Sequence, residues 1–117
     1  MRVYITGPMT GLPLFNFPAF DEAATRGRAM GLDIVSPADL DRALGFDEFS
    51  GDRSPAERRL MIIQDVVESS KCDAIALLPG WERSSGAAVE LALANFLDLL
   101  VLDARTFQVM EEWYERA

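Results

Sequence analysis

The chain has 117 residues, half of them hydrophobic, with 19 acidic against 11 basic side chains and a net charge of −8. That is enough for one domain with its own core, residues 1–117, and the clustered Lys and Arg of a nucleic-acid-binding protein are missing. With no histidine and one cysteine, Cys72, zinc sites built from Cys and His and an internal disulfide are excluded, and a reducing, cytoplasmic setting is expected.

Arg2 to Thr6 is β-branched and aromatic, a first strand. No leader is expected before it, and no apolar run reaches the roughly 18–20 residues of a membrane span. Gly7 to Gly11 ends the strand in a loop, and Leu12 to Phe17 is irregular. Asn16 is the expected N-cap of a helix with Pro18 in its first turn, running to about Met30 and closed by Gly31. Leu32 to Val35 reads as a second strand, and Ser36-Pro37 opens a short helix from Ala38 to Leu44. Gly45 to Arg53, polar with two glycines and two phenylalanines, is the candidate for a mobile loop or lid. Ser54-Pro55-Ala56-Glu57 has the pattern of a capping box, opening a helix to about Ser70. Asp73 to Leu78 is the third strand, and Pro79-Gly80 stops it. Ser84 or Ser85 caps the next helix, which ends near Phe96. Leu99 to Leu102 is a fourth strand, and Thr106 to Arg116 a terminal helix.

Alternating strands and helices predict an α/β fold, a flavodoxin-like or Rossmann-like three-layer sandwich with four or five parallel strands. The apolar runs Ala74–Leu78 and Leu99–Leu102 suit strands covered on both faces. Ligands in such sheets bind beyond the carboxyl ends of the strands. In this chain those ends carry Gly7–Gly11, Ser36–Pro37, Pro79–Ser85 and Asp103–Arg105.

Without histidine, acid–base chemistry falls to carboxylates, tyrosine, lysine or hydroxyls. Glu90 is the only charged residue between Ala87 and Leu97, a helix otherwise made of Ala, Leu, Val, Asn and Phe. A lone carboxylate on a covered helix is costly unless it is paired or used. It either meets a ligand or caps a loop or pairs with an arginine. Asp65 interrupts Leu60 to Val67. It is either the margin of the wet face marked by Gln64 and Glu68 or a second carboxylate facing Glu90. Tyr4 is either core or the hydroxyl that holds Glu90. Gly7, Pro8 and Met9 form a loop that either lets a ligand reach the backbone or simply turns the chain. Ser84, Ser85 and Gly86 at a helix start suit a phosphate or carboxylate equally as well as ordinary capping. The Trp81 indole either stacks on a base or covers the sheet end.

Three segments carry a family likeness: Tyr4 to Gly11 (YITGPMTG), Asn16 to Phe20 (NFPAF), and Cys72 to Glu90 (CDAIALLPGWERSSGAAVE). Through them the chain resembles the nucleoside 2-deoxyribosyltransferase superfamily, closest to its short bacterial and phage members of unassigned function. That group includes deoxyribosyltransferases and N-glycosidases of nucleoside 5′-monophosphates. The resemblance implies that Glu90 is the nucleophile, that Asp65, 25 residues earlier, handles the base, and that Tyr4 orients Glu90. It implies a phosphorylated substrate, because Ser84 matches the phosphate-binding serine of the hydrolase branch six residues before the glutamate. Gly7, Pro8, Met9, Trp81, Ser84 and Gly86 are the implied binding residues. No metal or organic cofactor is implied. The partner is a small-molecule nucleotide or nucleoside, with no nucleic acid or membrane, in a homo-oligomer. Two departures stand out: the chain is shorter than the transferases, and nothing matches the residue their neighbouring subunit contributes near the C-terminus. A cytokinin-type phosphoribohydrolase is a rival, although Trp81 and Ala87 break its P-G-G-x-G-T-x-x-E pattern. A nucleotide-sensing module without turnover and a purely structural assembly protein are the others.

Overall fold

The computed structural model describes residues 1–115, with side chains through residue 114. Four strands, β1 (Arg2–Thr6), β2 (Asp33–Val35), β3 (Ala74–Leu77) and β4 (Leu100–Asp103), form one parallel sheet in the order β2-β1-β3-β4. The helices are α1 (Phe17–Ala29), α2 (Pro37–Ala43), α3 (Pro55–Ser70), α4 (Ser85–Phe96) and α5 (Glu111–Glu115). The order is that of a flavodoxin-like doubly wound sheet, with its switch point between β1 and β3.

Alternation along the strands divides the core in two. Val3, Ile5, Ala74, Ala76 and Leu102 face one way, onto Phe17, Phe20, Ala23 and Ala24 of α1. Tyr4, Ile75, Leu77 and Val101 face the other, onto Leu91 and Ala94 of α4. All four residues of β3 are buried, as a central parallel strand covered by helices requires.

Capping accounts for the helix starts. Ser54 and Glu57 form the expected capping box at the head of α3. Ser84 Oγ accepts from Ala87 N at 3.1 Å at the head of α4, and Ser36 accepts from Ala38 N at the head of α2. Asn16 differs from expectation. It occupies the cap position of α1 with φ 60°, makes no side-chain cap, and instead donates Nδ2 to the Pro8 carbonyl at 3.0 Å. Leu14 and Phe15 before it also have positive φ, 52° and 53°. Three successive left-handed residues cost about 1–2 kcal/mol each, so packing must hold them. Phe15 does this, meeting Phe46 edge-on at 5.2 Å.

Two further expectations change. The segment Gly45 to Arg53 is tied down at two points: Arg42 grips Glu48 within it, and Arg53 at its end binds Asp41 at 2.9 Å. The terminal helix begins at Glu111, not Thr106. Residues 106–110 turn back onto β4 instead, Val109 bridging Leu102 in antiparallel fashion and Met110 N donating to Val101 O at 2.9 Å. Of the expected helix, Arg116 lies outside the described residues.

Candidate active site

A cleft of about 570 Å³ opens beyond the carboxyl ends of β1 and β3, where the switch point of such a sheet leaves a crevice. Its walls come from the β1 loop and from the N-terminal turns of α3 and α4. Glu90 and Asp65 both line it.

Glu90 projects from the second turn of α4 and is only 5% exposed. The Tyr4 hydroxyl lies 3.5 Å from its Oε1, at the long limit of a hydrogen bond. Its Oε2 has no partner. Burial pushes its pKa up to about 7, against the Thr6 and Tyr4 hydroxyls, which favour the ionised form. No arginine bridges it among the described residues.

Asp65 is not at the margin of a wet face. The buried positions of α3 are Met61, Asp65 and Ser69, spaced four apart, so Asp65 stands in the middle of the inward stripe. Its Oδ1 is buried and unpartnered. Burial first, then the charges of Glu90 and Asp41, push its pKa up to about 8, while Tyr4 and Arg53 pull it down. Tyr4 is fully buried at the middle of β1, on the face toward α4. Burial and the flanking carboxylates raise its phenol well above the ordinary value, so it stays a hydrogen-bond donor. Glu90 and Asp65 thus feel each other's charge across the cleft floor, with the Tyr4 hydroxyl beside both as a donor.

Gly7, Pro8, Met9, Ser84 and Gly86 all line the same cleft. Gly7 is needed for packing: a Cβ there would lie 2.7 Å from Leu78 Cβ. Gly86 has no such constraint, since a Cβ would meet only ordinary contacts at 3.9 Å. Ser84 Oγ, besides capping α4, lies 3.4 Å from the Gly7 carbonyl and donates to it. Trp81 does not join them. Its ring packs edge-on against Trp113, 5.7 Å between centroids, and lines a separate cavity of about 230 Å³ with Asp103 and Met110. Of its two expected roles, base stacking in this cleft is therefore withdrawn, and cover for the sheet end remains.

The cleft also holds residues that the sequence reading passed over: Arg53, Arg58, Arg59 and Arg83. Arg53 is held between aromatic faces, 4.8 Å from the Phe15 centroid and 4.4 Å from that of Phe46, and its carboxylate partner Asp41 is 1% exposed. Burial lifts the Asp41 pKa to about 6 despite Arg53. One signal was present in sequence: Arg58 and Arg59 have no acid three or four residues away on their helix.

Fold and cleft together define a flavodoxin-like α/β protein with a strand-end pocket floored by two buried carboxylates. The chain belongs to the family described as domain of unknown function DUF4406, which it matches over residues 1–103. No curated protein matches it. Among solved structures it is similar to a 2-deoxyribosyltransferase from the psychrotolerant bacterium Bacillus psychrosaccharolyticus, with a TM-score of 0.64. The two are 19% identical, over 87% of this chain and 70% of that one. At that identity the likeness is one of fold.

Proposed function

We propose that this protein cleaves the N-glycosidic bond of a (deoxy)nucleoside 5′-monophosphate through a covalent glycosyl–Glu90 intermediate. The observation that carries the reading is the pair of buried carboxylates on one cleft, Glu90 and Asp65, each with an oxygen free of protein partners and Tyr4 between them.

The different environments separate the roles. The charges of Glu90 and Asp41 favour a protonated Asp65, whereas the Thr6 and Tyr4 hydroxyls favour an ionised Glu90. Glu90 Oε2 attacks the anomeric carbon through an oxocarbenium-like transition state as the carbon–nitrogen bond breaks. The base leaves with the proton of Asp65. Tyr4 donates to Oε1 and so leaves Oε2 aimed at the sugar. Water then attacks the anomeric carbon, returns a proton to Asp65 and frees Glu90. A second base in place of water makes the reaction a transfer. The N–H groups at the head of α4, beside Ser84 and Gly86, suit the 5′-phosphate.

The test is base release, followed by chromatography over common ribo- and deoxyribonucleotides, with and without an added acceptor base. Glu90→Gln should abolish release, by at least about 10³-fold, while the melting transition stays cooperative. Unchanged release in that variant would falsify the mechanism.

The same reading carries a homo-oligomer. Leu60, Ile63 and Val67 make an exposed stripe on α3, and Val89 and Phe96 another on the adjacent α4; Phe96 is 84% exposed. A second copy burying these stripes accounts for their exposure.

A further inference from the structure

Arg58 and Arg59 rise from the first turns of α3, and Arg83 stands one residue before the Ser84 cap of α4. All three line the cleft. Among the described residues they are the basic side chains with no hydrogen bond or ion pair. The other described cations have partners: Arg42 grips Asp21 and Glu48, Arg105 grips Asp103, and Arg26 donates to the Ala104 carbonyl. In a chain with 19 acids and 11 bases, partners are plentiful, yet these three have none.

Helix stability does not account for their position. A cation near a helix N-terminus opposes the helix dipole. Two of these sit in the opening turns of α3 and the third at the head of α4. The two heads are neighbours, since a Cβ on Gly86 would lie 3.9 Å from Ile62 Cδ1, one turn beyond Arg58. An anion between the heads reverses the sign of these interactions, because the guanidinium groups act on it together with the N–H groups of Ser85 and Gly86 at the head of α4; at α3 the capping box of Ser54 and Glu57 already takes up its N–H groups, so α3 contributes its arginines.

A single phosphate leaves much of this unused. It carries about two negative charges at most, against three guanidinium groups that line the cleft without a partner. The cleft floor has the opposite character: Glu90 and Asp65 are 5% and 8% exposed, with unpartnered oxygens that offer hydrogen bonds and no positive charge. The complementary ligand therefore has two ends, a hydrogen-bonding neutral end and an end with several negative charges.

We infer that the cleft takes a nucleotide carrying two or more linked phosphates, its pyrophosphate bridging the heads of α3 and α4 among Arg58, Arg59 and Arg83. The inference rests on the cleft being a nucleotide site and extends that reading from a monophosphate to the pyrophosphate-bearing class. Nucleoside di- and triphosphates and dinucleotides share this chemistry.

The test is binding, by calorimetry and melting temperature of the full chain at matched ionic strength. The probes are inorganic phosphate and inorganic pyrophosphate, then nucleoside mono-, di- and triphosphates and a dinucleotide, which separate the sources. Pyrophosphate should bind at least about tenfold tighter than phosphate. The double variant Arg58→Gln/Arg59→Gln should lose that margin, keep phosphate affinity within about twofold, and flatten the salt dependence of pyrophosphate binding. It should melt no lower than the parent, since neither side chain has a partner to lose. Equal affinity for the two anions, or a margin that survives in the double variant, overturns the inference. Binding to Glu90→Gln protein separates this from catalysis. An intact margin in a protein that never releases base counts against the glycosidase reading alone. Cleavage of monophosphates without any margin counts against the pyrophosphate site alone.

Discussion

Asp65 and Glu90 are acids placed where ionisation is expensive, and that has a measurable consequence away from catalysis. Their pKa values rise from ordinary ones of 3.8 and 4.5 to about 8 and about 7. Between those limits the folded chain binds more protons than the unfolded one, so stability falls as pH rises through the window. Melting temperature should decline between about pH 5 and pH 8, and Asp65→Asn should flatten the decline; an unchanged slope would show that the carboxyl is not buried as described. Gly86 gives a second test. Nothing in the fold needs a glycine there, so Gly86→Ala should stabilise α4 by up to about 1 kcal/mol in urea titration. It should also weaken nucleotide binding if the ligand uses the space. Glu90 was legible in the sequence because it is the lone charge on an apolar helix. Asp65 was ambiguous, because Gln64 and Glu68 beside it mark a wet face and one position on a helix decides which side it takes. The cleft arginines were hidden, since an exposed arginine is by default only solvated.

At the scale of elements, the local signals that named the helix heads were complete in the chain itself: Ser54 with Glu57, and Ser84 with Ala87 N, span only three residues each. What the sequence did not disclose depends on contacts between distant segments. Residues 106–110 hold no proline or glycine to stop a helix, yet they pair with β4, and Phe107 takes a φ of 60° to do so. Gly45 to Arg53 looks like a free loop, yet Arg53 reaches back to Asp41 on α2 and lies against Phe15 and Phe46. This strap depends on a buried pair, and removing one partner leaves the other charge uncompensated. Asp41→Ala should therefore cost about 3–5 kcal/mol by denaturant unfolding, far more than loss of a surface pair. A cost under about 1 kcal/mol would mean that Arg53 is simply solvated by the cleft.

For the whole molecule, the alternation of strand and helix was enough to name a parallel doubly wound sheet, because crossover chirality leaves few alternatives. The four strands were legible too, each a short apolar or β-branched run; the way the chain ends was not, since it turns on one antiparallel bridge. Assembly belongs to this scale. If the α3 and α4 stripes are buried between copies, light scattering should report an oligomer, and Ile63→Glu with Phe96→Glu should reduce it to monomer without loss of helix content. A monomeric parent would remove that reading. The returning segment at residues 108–110 constrains how copies can meet. It occupies the outer side of β4, while β2 at the opposite side is three residues long and Arg28 takes up the Ile34 carbonyl at 3.1 Å. Neither flank offers an open row of amides and carbonyls to another chain. Copies of this protein are thus kept from growing into a continuous ribbon of strands, and the surface left for a second copy is helical.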